Sequence, residues 1–131
     1  MTQEPQRPLN RRYFECAQNV WRPPTDVYET DGAIVIKVEI PGMAEQDFEI
    51  TVTGRRLLIA GTRRDSASKL GYHNMEIRYG VFCTEVRIPW LPQEDAIEAT
   101  YESGFLYVSL PRAGRREIQI GQTDEQTDSN A

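Results

Sequence analysis

The side chains best suited to chemistry in this sequence are its single histidine and its two cysteines: His73, Cys16 and Cys83. A nucleophilic site needs a serine or cysteine with an oriented base beside it, and none lies in a recognisable nucleophile motif. One histidine and two distant cysteines also match no standard spacing of zinc ligands. No glycine-rich phosphate-binding loop is present. We therefore expect a protein that is not an enzyme and that uses no metal, nucleotide or other cofactor.

Composition and charge restrict the partners. The 131 residues carry a formal net charge of −5, which argues against nucleic acid, because such a partner needs a basic face. No apolar run reaches membrane-spanning length, and the first residues lack a signal-peptide core. We therefore expect a cytoplasmic protein without a membrane span. Cys16 and Cys83 could pair in principle, but a reducing compartment favours two free thiols.

The most regular apolar pattern is a predicted hairpin at residues 96–111. Apolar residues recur with the period of two that is typical of strands with one buried face. They are Ile97, Ala99, Tyr101, Leu106, Val108 and Leu110. Gly104 supplies the positive φ that a tight hairpin turn needs. Pro111 removes a backbone donor and ends the second strand.

Shorter alternating segments fill the chain before this hairpin. Strands are predicted at 26–29, 33–40, 48–53, 57–62 and 81–88, with a weak one at 72–77. Asp31-Gly32 and Gly54-Arg55 indicate tight turns between neighbouring strands. Because no helix of real length separates the strands, the sequence predicts an all-β fold, an antiparallel immunoglobulin-like β-sandwich, over residues 25–111.

Two segments flank this domain. Residues 1–24, the lead segment, contain a possible short helix whose apolar side packs on its own domain or meets another chain. The residues on that side are Tyr13, Cys16, Ala17, Val20 and Trp21. Residues 112–131, the C-terminal extension, begin with a charged tether that leads to Ile118 and Ile120. The last ten residues are polar and acidic, and we expect them to be flexible.

Taken in order, these pieces resemble the small heat-shock proteins of the α-crystallin family, over about residues 21–120. The resemblance is carried by Pro24-Thr25-Asp26-Val27-Tyr28, Val38-Glu39-Ile40-Pro41-Gly42, Tyr79-Gly80-Val81-Phe82, Ile88-Pro89, Gly104-Phe105-Leu106-Tyr107-Val108 and Ile118-Gln119-Ile120. It implies an ATP-independent molecular chaperone, a holdase that binds unfolding proteins and prevents their aggregation. It also implies homodimers that assemble into larger homo-oligomers. Thr84 departs from the family, which usually has an arginine there, so interface details that depend on that arginine do not carry over.

The resemblance further implies that Ile118 and Ile120 insert into a groove on another subunit. By position, the groove residues are Ile50, Val52, Ile97, Ala99 and Tyr101. Alternate residues of an extended segment point the same way, about 6.6 Å apart, so both isoleucines face one groove. The tether from Pro111 spans at most about 23–25 Å, enough to reach a neighbouring subunit. The alternative is that the segment folds back as a final strand of its own domain.

Bacterial and plant members of the family dimerise by exchanging a strand from a long loop. The strand in that position here comprises Tyr72, His73, Asn74, Met75, Glu76 and Ile77. Its acceptor on the partner would be Asp26, Val27 and Tyr28, and the alternative for the loop is an ordinary irregular conformation. Tyr13, Phe14, Val20 and Trp21 are candidate contacts to clients or other subunits.

Two other functions compete with the holdase. One is a sandwich-type co-chaperone or protein-interaction domain that binds a larger chaperone, which would need neither Ile118 and Ile120 nor an exchanged strand. The other is a sandwich hydrolase with an unrecognised site, which the single histidine disfavours.

Overall fold

The structure, a computed structural model, describes Cys16 and residues 20–112. Within these residues, seven strands form two antiparallel sheets, one in the order β1-β2-β7-β6 and the other in the order β3-β4-β5. The strands are β1 (Thr25–Thr30), β2 (Ala33–Glu39), β3 (Phe48–Thr53), β4 (Arg56–Arg63), β5 (Gly80–Arg87), β6 (Glu98–Glu102) and β7 (Phe105–Pro111). Short 3-10 turns at Glu45–Asp47 and Glu94–Ala96 lead into β3 and β6. The predicted all-β antiparallel β-sandwich is confirmed.

The core lies between the two sheets and follows from the period of two. In β2 and β7 every second residue is buried, and the buried residues pair across the strands, as Ile36 does with Val108. Phe82 of β5, in the opposite sheet, is fully buried in this core. Gly61 of β4 leaves room for its ring, because a Cβ there would lie 2.8 Å from Phe82 Cζ.

Strand β4 is apolar on both of its faces. Leu57, Leu58, Ile59 and Ala60 are all buried. Because side chains alternate along a strand, Leu57 and Ile59 enter the main core while the other two face outward. Leu58 and Ala60 form a second, smaller cluster that packs against both cysteines and Val20.

The end of the lead segment joins the edge of β5. Trp21 forms a parallel bridge with Phe82, donates its backbone N–H to Val81 O at 3.3 Å and accepts from Cys83 N at 3.0 Å. The predicted helical side therefore does not extend to Trp21. Trp21 is 8% exposed and lies in the core of its own sandwich, not on a surface open to other chains. Tyr13 and Phe14 lie outside the described residues.

Cys16 and Cys83 are joined in a disulfide, with their Cα atoms 5.1 Å apart. The prediction of free thiols was therefore wrong. That prediction rested only on the expected compartment, whereas pairing is decided by position. Trp21 pairs with β5, and Cys16 packs on the outward side of this strand against Cys83, within the separation that a disulfide requires.

The hairpin turn between β6 and β7 lies where the sequence predicts it, whereas the strand predicted in the loop at 72–77 is not formed. Ser103 and Gly104 both have positive φ, 54° and 85°, as a tight hairpin between β6 and β7 needs. Residues 64–79 form no regular structure in the single chain, and they include the weak strand predicted at 72–77.

Candidate functional site

A groove runs between β3 and β6, which are edge strands of opposite sheets. It contains two hollows, of about 390 Å³ and about 440 Å³. The apolar lining of the first comprises Phe48, Ile50, Ala99, Tyr101 and Leu106, and that of the second comprises Ile50, Val52, Ile97 and Ala99. All the residues that the sequence predicted for a groove therefore lie together.

The two hollows are offset by two residues on each strand. The first lies beside Phe48 and Ile50, and the second beside Ile50 and Val52. Two residues along a strand correspond to about 6.6 Å. That is also the separation of alternate side chains in an extended segment, so the groove matches two apolar side chains with one residue between them.

Tyr101 forms a fixed wall of the groove. Its hydroxyl donates a hydrogen bond to Ile40 O at 2.8 Å and accepts one from Met43 N at 3.3 Å. Its ring packs on Phe48, with the ring centroids 5.1 Å apart. These contacts tie the ring to the turn that follows β2, so the wall is set before any segment binds.

The ends of the groove are acidic. Glu45 lines the first hollow and Glu94 the second. These two residues and Phe48 were not predicted as lining, although Phe48 belongs to the same alternation as Ile50. Ile118 and Ile120 lie outside the described residues.

An exposed loop and an open strand edge form a second pair of features. Loop 64–79 exposes Leu70, Tyr72, Met75 and Ile77. Strand β1 is an edge strand, and its Val27 and Tyr28 are 46% and 41% exposed. Exposed apolar side chains and an unpaired edge are both features that proteins usually cover.

Arg63 holds the base of this loop. Its Nε and Nη2 donate to Arg78 O at 3.0 and 2.6 Å, and its Nη1 donates to Pro41 O at 3.2 Å. The guanidinium also lies 4.8 Å from the centre of the Trp21 ring.

Within the loop, Asp65 is the centre of a small polar cluster. It forms an ion pair with Lys69 at 2.5 Å and accepts a hydrogen bond from the Tyr72 hydroxyl at 2.8 Å. These partners, Lys69 first and then Tyr72, lower the pKa of Asp65. The hydrogen bond to Asp65 raises the pKa of Tyr72. The cluster gives the first part of an otherwise irregular loop a local structure.

Thr84 is buried and satisfied by hydrogen bonds. Its hydroxyl accepts from Arg22 Nε at 2.8 Å and lies 2.9 Å from the Thr25 hydroxyl. A guanidinium thus reaches this site from the lead segment rather than from β5 itself.

Other chemistry finds no support in the part of the chain that the structure describes. Among those residues, no cluster of three or more His, Cys, Asp or Glu side chains is arranged to hold a metal. None of the described helices is long and apolar enough to cross a membrane. His73 lies exposed in loop 64–79.

Residues 26–123 match the family model described as the Hsp20/alpha crystallin family. The chain belongs to this family. It is 33% identical to small heat shock protein C2 of Rickettsia felis over 103 residues, 75% of this chain and 67% of that one. It is also 33% identical to heat shock protein HSP.16.4 of Streptococcus thermophilus over 98 residues, 72% and 69% of the two chains.

Solved structures of small heat-shock proteins have the same fold. Heat shock protein 16.0 from Schizosaccharomyces pombe gives a TM-score of 0.63 at 29% identity, covering 76% of this chain and 96% of that one. A small heat-shock protein from Xylella fastidiosa, described as having a distinct high order structure, gives 0.64 at 30% identity, covering 79% and 99%. The sandwich is therefore an α-crystallin domain, and membership of the family supports a chaperone role in general.

Proposed function

We propose that this protein is an ATP-independent holdase that binds unfolding proteins as a homo-oligomer built from dimers. The observation that carries the proposal is the groove between β3 and β6, with two apolar hollows offset by two residues. Ile118 and Ile120 of a neighbouring subunit would fill one hollow each. The division into lead segment, sandwich and extension belongs to the same proposal, and the cytoplasmic location and lack of enzymatic activity stay predictions.

The energetics favour a link that forms and breaks easily. Burying two isoleucines contributes roughly 3–6 kcal/mol in total. Ordering the tether and losing rigid-body freedom oppose much of this gain. One link is therefore weak, and several links together hold an oligomer. Arg115 and Arg116 precede Ile118 in the tether and would meet one acidic end of the groove, at Glu45 or Glu94, which adds modest electrostatic support.

Dimers would form by exchange of residues 72–77 onto β1 of a partner. The acceptor residues, Asp26, Val27 and Tyr28, lie on the unpaired edge of the four-stranded sheet. Pairing would cover the exposed side chains of Met75 and Ile77. It would also explain why a segment of low intrinsic β character is irregular in the single chain, because the partner completes the strand.

The test of the holdase proposal is suppression of aggregation. A heated model client should stay clear at a near-stoichiometric ratio of this protein, and added ATP should change nothing. The same experiment with a non-chaperone protein at equal mass controls for crowding. Unchanged turbidity at a several-fold molar excess would contradict the proposal.

A further inference from the structure

We propose that the Cys16–Cys83 disulfide is a reducible clasp that holds Cys16 and Val20 over an apolar strip, and that reduction opens the strip to unfolding clients. The strip, which we call the outer strip, comprises Leu58, Ala60 and Cys83 on the outward face of the three-stranded sheet. The part of this inference that concerns clients rests on the proposed holdase function. The clasp itself does not.

The outer strip is apolar surface that needs a cover. Leu58 and Ala60 are only 1% and 6% exposed although they face away from the main core. Ala60 pairs with Cys83 across β4 and β5, so the three side chains form one continuous patch. Cys16 and Val20, both half-buried, pack against this patch. The cover in the oxidised protein therefore includes Cys16 and Val20 of the chain itself.

Among the described residues, the cover is attached in different ways at Trp21 and at Cys16. Trp21 is fixed to β5 by two backbone hydrogen bonds and by burial of its ring. Cys16 is five residues further from the sandwich, and its covalent attachment is the disulfide. Reduction should therefore release Cys16, and with it the cover over the outer strip, while the sandwich and the bridge at Trp21 stay intact.

A polar pair borders the outer strip. Glu85 lies opposite Leu58 in the β4–β5 register and pairs with Arg56. Apolar surface bordered by polar groups is typical of protein-binding surfaces. Once uncovered, this flat sheet face suits an extended apolar segment of a client.

The chemistry is a thiol–disulfide exchange with a dithiol reductant. A thiolate of the dithiol attacks the sulfur of Cys16, the less buried partner, and the Cys83 sulfur leaves as a thiolate that takes up a proton. The second thiol of the dithiol then displaces Cys16 from the mixed disulfide. The protein gains two electrons and two protons, and the dithiol becomes a cyclic disulfide.

The experiment compares the full-length protein, oxidised with glutathione disulfide and reduced with dithiothreitol, with the variant Cys16→Ala. Alkylation and mass spectrometry should find both thiols blocked in the oxidised protein and both labelled after reduction. Binding of the dye bis-ANS should rise several-fold on reduction, and Cys16→Ala should show the high value under both conditions. The amount of protein needed to suppress aggregation of a heated client should fall several-fold in parallel.

Two further substitutions test whether the dye binds at the outer strip. In the Cys16→Ala background, Leu58→Ser should lower dye binding to the level of the oxidised wild-type protein, because it makes the outer strip polar. Leu70→Ser in the same background, at an exposed leucine of loop 64–79, should keep the high dye binding of Cys16→Ala.

Thiols that alkylate freely after oxidation, or equal dye binding by the oxidised, reduced and Cys16→Ala proteins, would overturn the clasp. If dye binding rises on reduction but the oxidised and reduced proteins suppress client aggregation equally, the outer strip does not bind clients. If neither state suppresses aggregation while dye binding still changes, the holdase proposal fails and the clasp stands.

Discussion

Ala99→Trp should block the groove and dissociate the larger oligomers into dimers. Ala99 lines both hollows, and its small exposed side chain leaves the space between them open. An indole at this point occupies the space that the two isoleucines of a neighbouring subunit would fill. No core residue has to move, because the side chain lies outside the main core.

The expected magnitude follows from the contacts that are lost. Each excluded isoleucine forfeits roughly 1.5–3 kcal/mol of apolar burial. Because about 1.4 kcal/mol corresponds to a tenfold change in an equilibrium constant, loss of even one isoleucine weakens a link by about tenfold or more. The free energy of unfolding of the sandwich should change by less than about 0.5 kcal/mol, because the position is exposed and tryptophan is common in strands.

Native mass spectrometry and a thermal melt measure the two effects separately. Ala99→Ser is the matched control, because serine is too small to fill the groove, and it should keep the wild-type oligomer. If Ala99→Trp keeps the wild-type oligomer, the groove does not receive a neighbouring subunit. An unchanged oligomer with a lower melting temperature would mean that the chain's own extension occupies the groove.

The remaining predictions concern the extension, the loop and the groove wall. Replacing Ile118 and Ile120 together with alanine should leave the sandwich folded and yield dimers by native mass spectrometry, since each link loses most of its apolar contact; an unaltered oligomer would rule the link out. Replacing residues 72–77 with a short glycine linker should give a folded monomer by sedimentation, and a stable dimer would point to another interface. Tyr101→Phe should cost about 1–2 kcal/mol in urea unfolding, because the ring stays while the bonds of its hydroxyl to Ile40 O and from Met43 N are lost; an unchanged unfolding midpoint would show that the hydroxyl does not hold the wall.

The sandwich and the groove were predictable because their signals are local. Alternation at Ile97, Ala99 and Tyr101 fixes which side chains share a face, and the same holds for Ile50 and Val52. Once the family resemblance supplies the order of the strands, these residues must meet at one edge. In the structure these residues line the two hollows, while their role in receiving another subunit stays a prediction.

Features that depend on distant segments were not predictable in this way. Arg63 acquires its role from Pro41, Arg78 and Trp21, which come together only in the fold. Cys16 and Cys83 are separated by 67 positions, and spacing along the chain does not determine such a pairing. A partial signal for the outer strip was present, because Leu57-Leu58-Ile59-Ala60 is apolar without alternation and a strand of this kind is covered on both faces.

The disulfide also sets a thermal margin for the protein. A disulfide that closes a loop of this length lowers the conformational entropy of the unfolded chain. This raises the free energy of unfolding by about 4 kcal/mol. A domain of this size gains several degrees in melting temperature for each kcal/mol. The oxidised protein should therefore stay folded at temperatures that unfold less stable proteins. In the proposed clasp, reduction lowers that margin and uncovers the outer strip together, so the form with the most exposed apolar surface is also the form least resistant to heat.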